Sequence, residues 1–118
     1  MIFKFEDNKV IEKHGVKMSI YNTKEECPPA AVVYQETDKG HLEEFYHTKS
    51  AFIYYILKGK GKWIIEDKEY EVKEKDVVIV PPGKKFYFKG KLEQICITTP
   101  AWQEKYEKHV RYIEDIDE

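Results

Sequence analysis

The sequence predicts one all-β domain, a sandwich or barrel with a short C-terminal helix or extended arm. Three observations carry this. Short runs rich in Val, Ile, Tyr and Phe recur at close spacing between clusters of turn residues, the pattern of many short strands. Helical periodicity is missing until after Pro100. Nine Tyr, six Phe and two Trp make up 14% of a 118-residue chain that is also 36% charged. Charged side chains belong mostly on a surface, so the rings must fill a core, a pocket or an interface.

Residues 2–5 and 16–21 are short runs rich in strand-forming residues and are read as strands. Residues 31–35 form an apolar run after the breaker Pro28-Pro29, and residues 45–47 a short one after Gly40. Residues 52–57 and 62–66 flank Gly59-Lys60-Gly61, which reads as a hairpin turn. Glu66-Asp67-Lys68 is a second turn, leading to residues 70–72. Val77-Val78-Ile79-Val80 stops at Pro81-Pro82-Gly83, and residues 86–88 and 92–99 are read as two strands broken at Lys89-Gly90. Residues 101–110 have a loose helical period, with Trp102, Tyr106 and His109 or Val110 on one side. The acidic tail 114–118 is expected to fray. No repeat or linker divides residues 1–118, so a single domain is expected.

Composition narrows the function. Lys+Arg 20 against Asp+Glu 22 leaves a net charge of −2, and Arg111 is the only arginine. Nucleic acid is therefore not an expected partner. No run approaches the ~20 apolar residues of a membrane helix, and the N-terminus lacks the apolar stretch of a signal peptide. Cys27 and Cys96 are far apart and share no CxxC spacing, so neither a zinc ribbon nor a redox dithiol is indicated. A reduced, cytoplasmic protein is the expectation.

From Phe45 to Pro100 the chain resembles the cupin superfamily of small jelly-roll barrels. The run Phe52-Ile53-Tyr54-Tyr55-Ile56-Leu57-Lys58-Gly59-Lys60-Gly61 looks like the end of that family's first motif, G-x5-H-x-H-x3–4-E-x6-G. Asp76-Val77-Val78-Ile79-Val80-Pro81-Pro82-Gly83 looks like the start of its second, G-x5-P-x-G-x2-H-x3-N. Laid on the second motif, Lys75 takes the first Gly position, Pro81 and Gly83 match, Phe86 takes the His position and Gly90 the Asn position. Counting back from Gly59 puts Phe52 at the Glu position. A four-residue spacer then makes the two His positions Phe45 and His47. A three-residue spacer would make them Tyr46 and Thr48, with Gly40 on the opening Gly. The four-residue version keeps one His and puts both positions on one strand face.

The resemblance implies a cupin-type jelly-roll barrel, but the ligand positions depart from it. Metal-binding cupins converge three His and one Glu on a divalent ion, whereas Phe45, His47, Phe52 and Phe86 stand here. Phenyl rings have no lone pair to donate, so no metal or other cofactor is expected, and the family's metal-dependent chemistries cannot be inferred from fold alone. Strand alternation adds Tyr54 and Phe88 to the inward face. The expected ligand-binding set is Phe45, His47, Phe52, Tyr54, Phe86 and Phe88, with His47 and Tyr54 as the catalytic candidates. Three functions are compatible with it. The leading one is binding of a small organic molecule in an aromatic-lined pocket. The second is a metal-independent sugar isomerase or epimerase with His47 as base. The third is an interaction module whose barrel is simply filled.

Other residues read more plainly. His41, Glu43, Phe45 and His47 would share a face if the segment were a strand, but Gly40 suggests that His41 lies in a turn. Glu43 and Glu44 read as surface charge, and His14 and His109 as surface residues without partners. Lys84 and Lys85 could draw an anion to the barrel mouth. Homodimerisation is implied by the resemblance, through packed sheets, with Tyr55 and Tyr87 as covering residues, or through the N-terminal residues 1–10.

Overall fold

The computed structural model describes residues 1–114. Among the described residues nine strands form one curled sheet: β1 (Lys9–Lys13), β2 (Val16–Ile20), β3 (Ala31–Thr37), β4 (Glu43–His47), β5 (Ala51–Ile65), β6 (Lys68–Lys73), β7 (Val77–Val80), β8 (Phe86–Thr99) and β9 (Glu107–Tyr112). The order β1-β2-β3-β8-β4-β9 makes one path, and β5 pairs with β6, β7 and β8. All pairings are antiparallel. This is the expected all-β jelly-roll barrel.

Long β5 and β8 bind the two faces together, and their length corrects two expected breaks. Gly59-Lys60-Gly61 is not a hairpin turn, and Lys89-Gly90 does not split two strands. Gly61 instead pairs with Gly90 inside the β5–β8 ladder. Gly90 has φ +124, and a Cβ there would lie 2.6 Å from the Lys60 carbonyl oxygen and 2.7 Å from the Gly61 Cα. Glycine here lets two bent strands come close rather than reversing the chain. The predicted turn at Glu66-Asp67 does form, with φ of 49 and 70 at those residues, as a two-residue hairpin requires.

A bulge between Ile56 and Lys58 sets the inward face of β5. Before it the even residues Phe52, Tyr54 and Ile56 are buried; after it odd Trp63 is buried. One extra residue reverses the parity of the strand, so both ends of β5 supply the core.

The chain termini differ from the reading. Residues 2–5 are not a strand; a 3-10 turn covers Phe5–Asp7 and the first strand is β1. Ring packing holds the segment down, with Phe5 edge-on to Tyr34 at 5.4 Å. Residues 101–110 form no α-helix. A 3-10 turn (Glu104–Tyr106) leads into β9, which pairs with β4, so the extended-arm alternative describes them. The acidic tail expected to fray falls, apart from Glu114, outside the described residues.

Candidate functional site

Inward residues of the sheet close one end of the barrel and leave the other open. At the closed end Trp63 stacks on Phe88 at 4.4 Å and 18°, and Ile56, Leu92 and Phe86 are fully buried beside them. At the open end lies a cavity of about 840 Å³. Its walls come from β1, β2, β3, β5 and β8, with Phe45 of β4, Glu107 of β9, the loop after β2, His41 before β4 and Trp102 after β8. The barrel is thus packed with side chains at one end and opens into a cavity at the other.

Phe45, Phe52 and Tyr54 line that cavity. Phe86 and Phe88 lie beneath it, closing its floor: Phe45 packs on Phe86 at 4.7 Å, Phe52 on Phe86 at 5.6 Å and Tyr54 on Phe88 at 5.7 Å. Of the four positions that the resemblance aligns with metal ligands, Phe45, Phe52 and Phe86 are phenyl rings in contact with one another, and the fourth is His47. Among the described residues no cluster of three His, Cys, Asp or Glu side chains is arranged to hold a metal ion. The residues present do not fit that metal.

His47 is buried but does not line the cavity. Its Nδ1 accepts the Ser50 N–H at 2.9 Å and lies 3.3 Å from the Lys49 N–H. Its Nε2 lies 3.1 Å from the Gln103 carbonyl oxygen. A carbonyl can only accept, so Nε2 carries the proton and Nδ1 takes the backbone donors. Burial lowers its pKa, which keeps it neutral. The ring ties the β4–β5 turn to the chain after β8, with both nitrogens engaged.

His41 occupies the place expected of the chemical group. It is 6% exposed, lines the cavity, and packs on Phe45 at 4.9 Å and Phe88 at 5.7 Å. Its Nδ1 lies 2.6 Å from the Glu43 carbonyl oxygen, so Nδ1 is the donor and Nε2 keeps a lone pair. Among the described residues no hydrogen-bond partner engages that Nε2. Burial pulls its pKa down to about 4 against smaller opposing effects from the Glu43 carbonyl and carboxylate. The ring is a neutral imidazole at ordinary pH, presenting a base.

Tyr54 is 2% exposed, and its register partner on β8 is Cys96. Burial first, and the neighbouring thiol second, raise the phenol well above its ordinary pKa, so it remains an O–H donor. Burial likewise pushes the Cys96 thiol up to about 12, which leaves it protonated and a poor nucleophile. Gln35, buried on β3, also lines the cavity and accepts a hydrogen bond from Gln94 Nε2 at 2.8 Å.

Several surface assignments are overturned. Glu43 and Glu44 are 6% and 1% exposed. His109 Nδ1 approaches Glu43 Oε2 at 2.8 Å and His14 Nε2 approaches Glu43 Oε1 at 3.2 Å, so neither histidine lacks a partner. Arg111 Nε donates to Glu44 Oε1 at 2.8 Å and its guanidinium covers the Tyr87 ring at 5.5 Å. Local sequence shows each carboxylate in a charged run and gives no sign of β9 arriving beside it. Lys85 approaches Asp67 at 3.4 Å, and neither it nor Lys84 lines the cavity.

A family model for the cupin domain matches residues 32–97. Streptomyces PAC13, solved with uridine, is 29% identical, with a TM-score of 0.92 over 97% of this chain and 93% of that one. Pac13, described as a nucleoside dehydratase, matches at 28% identity and TM-score 0.92 over the same shares. Uridine-bound PAC13 has been solved with one histidine changed to glutamine, and with either of two tyrosines changed to phenylalanine. KdgF from Halomonas sp. is 14% identical, with a TM-score of 0.75 over 89% of this chain and 97% of that one, a likeness of fold. No curated protein matches the sequence.

Proposed function

This chain belongs to the cupin family, and from that premise we propose that it acts on a nucleoside or similar small ring-bearing molecule, removing water by acid–base chemistry at the open end of the barrel. The observation that carries the reading is the pairing, in one aromatic cavity, of an unengaged imidazole nitrogen on His41 with the phenol of Tyr54. Nearly the same fold in a nucleoside dehydratase supports it, as does the solution of that protein with uridine.

Dehydration requires a base for a C–H proton and an acid for the departing hydroxyl. His41 Nε2 takes the proton, and the electrons of that C–H bond form the new C=C. The adjacent C–O bond breaks, and its oxygen leaves as water with a proton returned from the imidazolium. Tyr54 donates a hydrogen bond to an oxygen that gains negative charge on the way. A neutral imidazole is a weak base, so the C–H must be acidified by a neighbouring carbonyl. Phe45, Phe52 and Trp102 offer ring faces to a flat base and keep water from the reacting atoms. Small-molecule binding in an aromatic-lined pocket is thereby retained. The reading moves the base from His47, whose nitrogens are both engaged, to His41.

Titration calorimetry with uridine tests the binding half. Incubation in D2O with carbonyl-bearing uridine derivatives tests the chemistry, by mass spectrometry for loss of water and uptake of deuterium. His41→Gln is expected to lower turnover ~100-fold or more while uridine still binds. Wild-type protein that neither binds uridine nor alters any derivative contradicts the proposal.

A further inference from the structure

Two buried carboxamides remain outside that chemistry. Gln35 and Gln94 face each other in register across β3 and β8, and are 7% and 0% exposed. Gln94 is walled by Ile56, Leu92 and Cys96, all buried. Its Nε2 donates to Gln35 Oε1 at 2.8 Å, and its own Oε1 has no partner among the described residues. A wholly buried amide that leaves one hydrogen-bonding atom unmet costs stability, so apolar packing alone does not account for it. Its one contact orients Gln35.

That orientation decides what the cavity can read. The oxygen and nitrogen of a planar carboxamide point in different directions. With Gln35 Oε1 turned to Gln94, its NH2 is turned away, and among the described residues nothing accepts from it. Gln35 lines the cavity, and an amide nitrogen has no lone pair. The wall at this point can donate but cannot accept. Tyr54 also presents an O–H donor to the cavity, and His41 Nε2 presents an acceptor without a partner among the described residues.

We propose that Gln35, held by Gln94, is a specificity-determining residue that reads the C4 carbonyl oxygen of a pyrimidine ring, making the cavity select 4-keto over 4-amino pyrimidines. The inference rests on the nucleoside reading above. At C4 uridine offers an oxygen where cytidine offers an NH2, the C2 oxygen being common to both. A ligand NH2 facing the Gln35 NH2 leaves two donors buried without acceptors, a loss of about tenfold or more in affinity. Gln94 acts as a positioning residue by preventing the amide from turning over.

Calorimetric Kd values for uridine and cytidine, measured on the wild type, Gln35→Glu and Gln94→Leu, test this. The wild type is expected to bind uridine about tenfold or more tightly than cytidine. Gln35→Glu keeps an oxygen for Gln94 and offers the other to the cavity, so the preference should reverse toward cytidine. Gln94→Leu frees the Gln35 amide to turn, and the ratio should fall toward unity with little change in melting temperature. If Gln35→Glu does not fold, the wild-type ratio and Gln94→Leu still decide. Equal wild-type binding of the two nucleosides overturns this proposal alone. An unaltered preference in Gln94→Leu overturns the positioning role. Binding of neither nucleoside overturns both this proposal and the nucleoside reading.

Discussion

His41 should make the stability of the fold fall with acid in a way that one substitution removes. Burial holds its pKa at about 4 in the folded chain against an ordinary 6.5. For a base lowered on folding, the unfolded chain takes a proton that the native ring refuses. Its contribution is therefore complete above pH 6.5 and is lost progressively as pH falls toward 4. At ~1.4 kcal/mol per pH unit, the interval between those values comes to ~3 kcal/mol. That is a large share of the ~5–15 kcal/mol that holds a small domain folded. Urea unfolding at steps from about pH 7.5 to about pH 4.5 measures it, and His41→Gln supplies the reference, since glutamine does not titrate and can still donate to the Glu43 carbonyl. The wild-type advantage over the variant should shrink by ~2.5 kcal/mol across the range, most of it between pH 6 and 4.5. A difference that stays constant within ~0.5 kcal/mol would show that the ring is hydrated and titrates normally, and the buried-base assignment would fall with it.

Three further outcomes follow from the packing. Gly90→Ala should cost about 2–4 kcal/mol, read as a fall in denaturation midpoint, because the new methyl meets the β5 backbone at a positive φ; an unchanged midpoint would mean that the strands do not approach so closely. Glu43→Gln weakens the contacts to His109 and His14, so amide exchange should quicken in β9 and its β4 partner, with ~1 kcal/mol lost overall, whereas equal protection would assign the carboxylate no part in holding that strand. Val77 and Ile79, 55% and 59% exposed, continue an outward apolar row with Tyr55 and Leu57; a homodimer is expected to cover it, Ile79→Lys to give monomers in sedimentation equilibrium, and a wild-type monomer at all concentrations to refute that.

The site shows which features local sequence could carry. His41, Glu43, Phe45 and His47 alternate, a pattern that places them on one face, yet Gly40 argued for a turn. Gly40 has φ +125 and bridges to Lys89 in line with the β3–β8 pairs, so the chain runs on along β8 without the expected turn and delivers His41 inward. Whether His41 or His47 offers a free nitrogen depended on Gln103, more than fifty residues beyond His47 in the chain. Gln35 and Gln94 were visible as polar residues among Ala31, Val33, Leu92 and Cys96. Alternation alone does not say whether such an amide points at solvent or at a partner.

Local sequence determined the all-β class, the hairpin at Glu66-Asp67, and the inward set Phe52, Tyr54, Phe86 and Phe88. Each depends on residue type, turn chemistry or a period of two, and these act over a few residues. Tertiary structure decided that one end of the barrel opens into a cavity, that Glu43 and Glu44 are buried beside β9, and that His41 keeps a free lone pair while His47 does not. Those outcomes depend on which backbone carbonyls and side chains arrive from distant strands, and on the low-dielectric space they enclose. The aromatic excess alone left core, pocket and interface open; the curl of β5 against β8 made it both a floor and a wall.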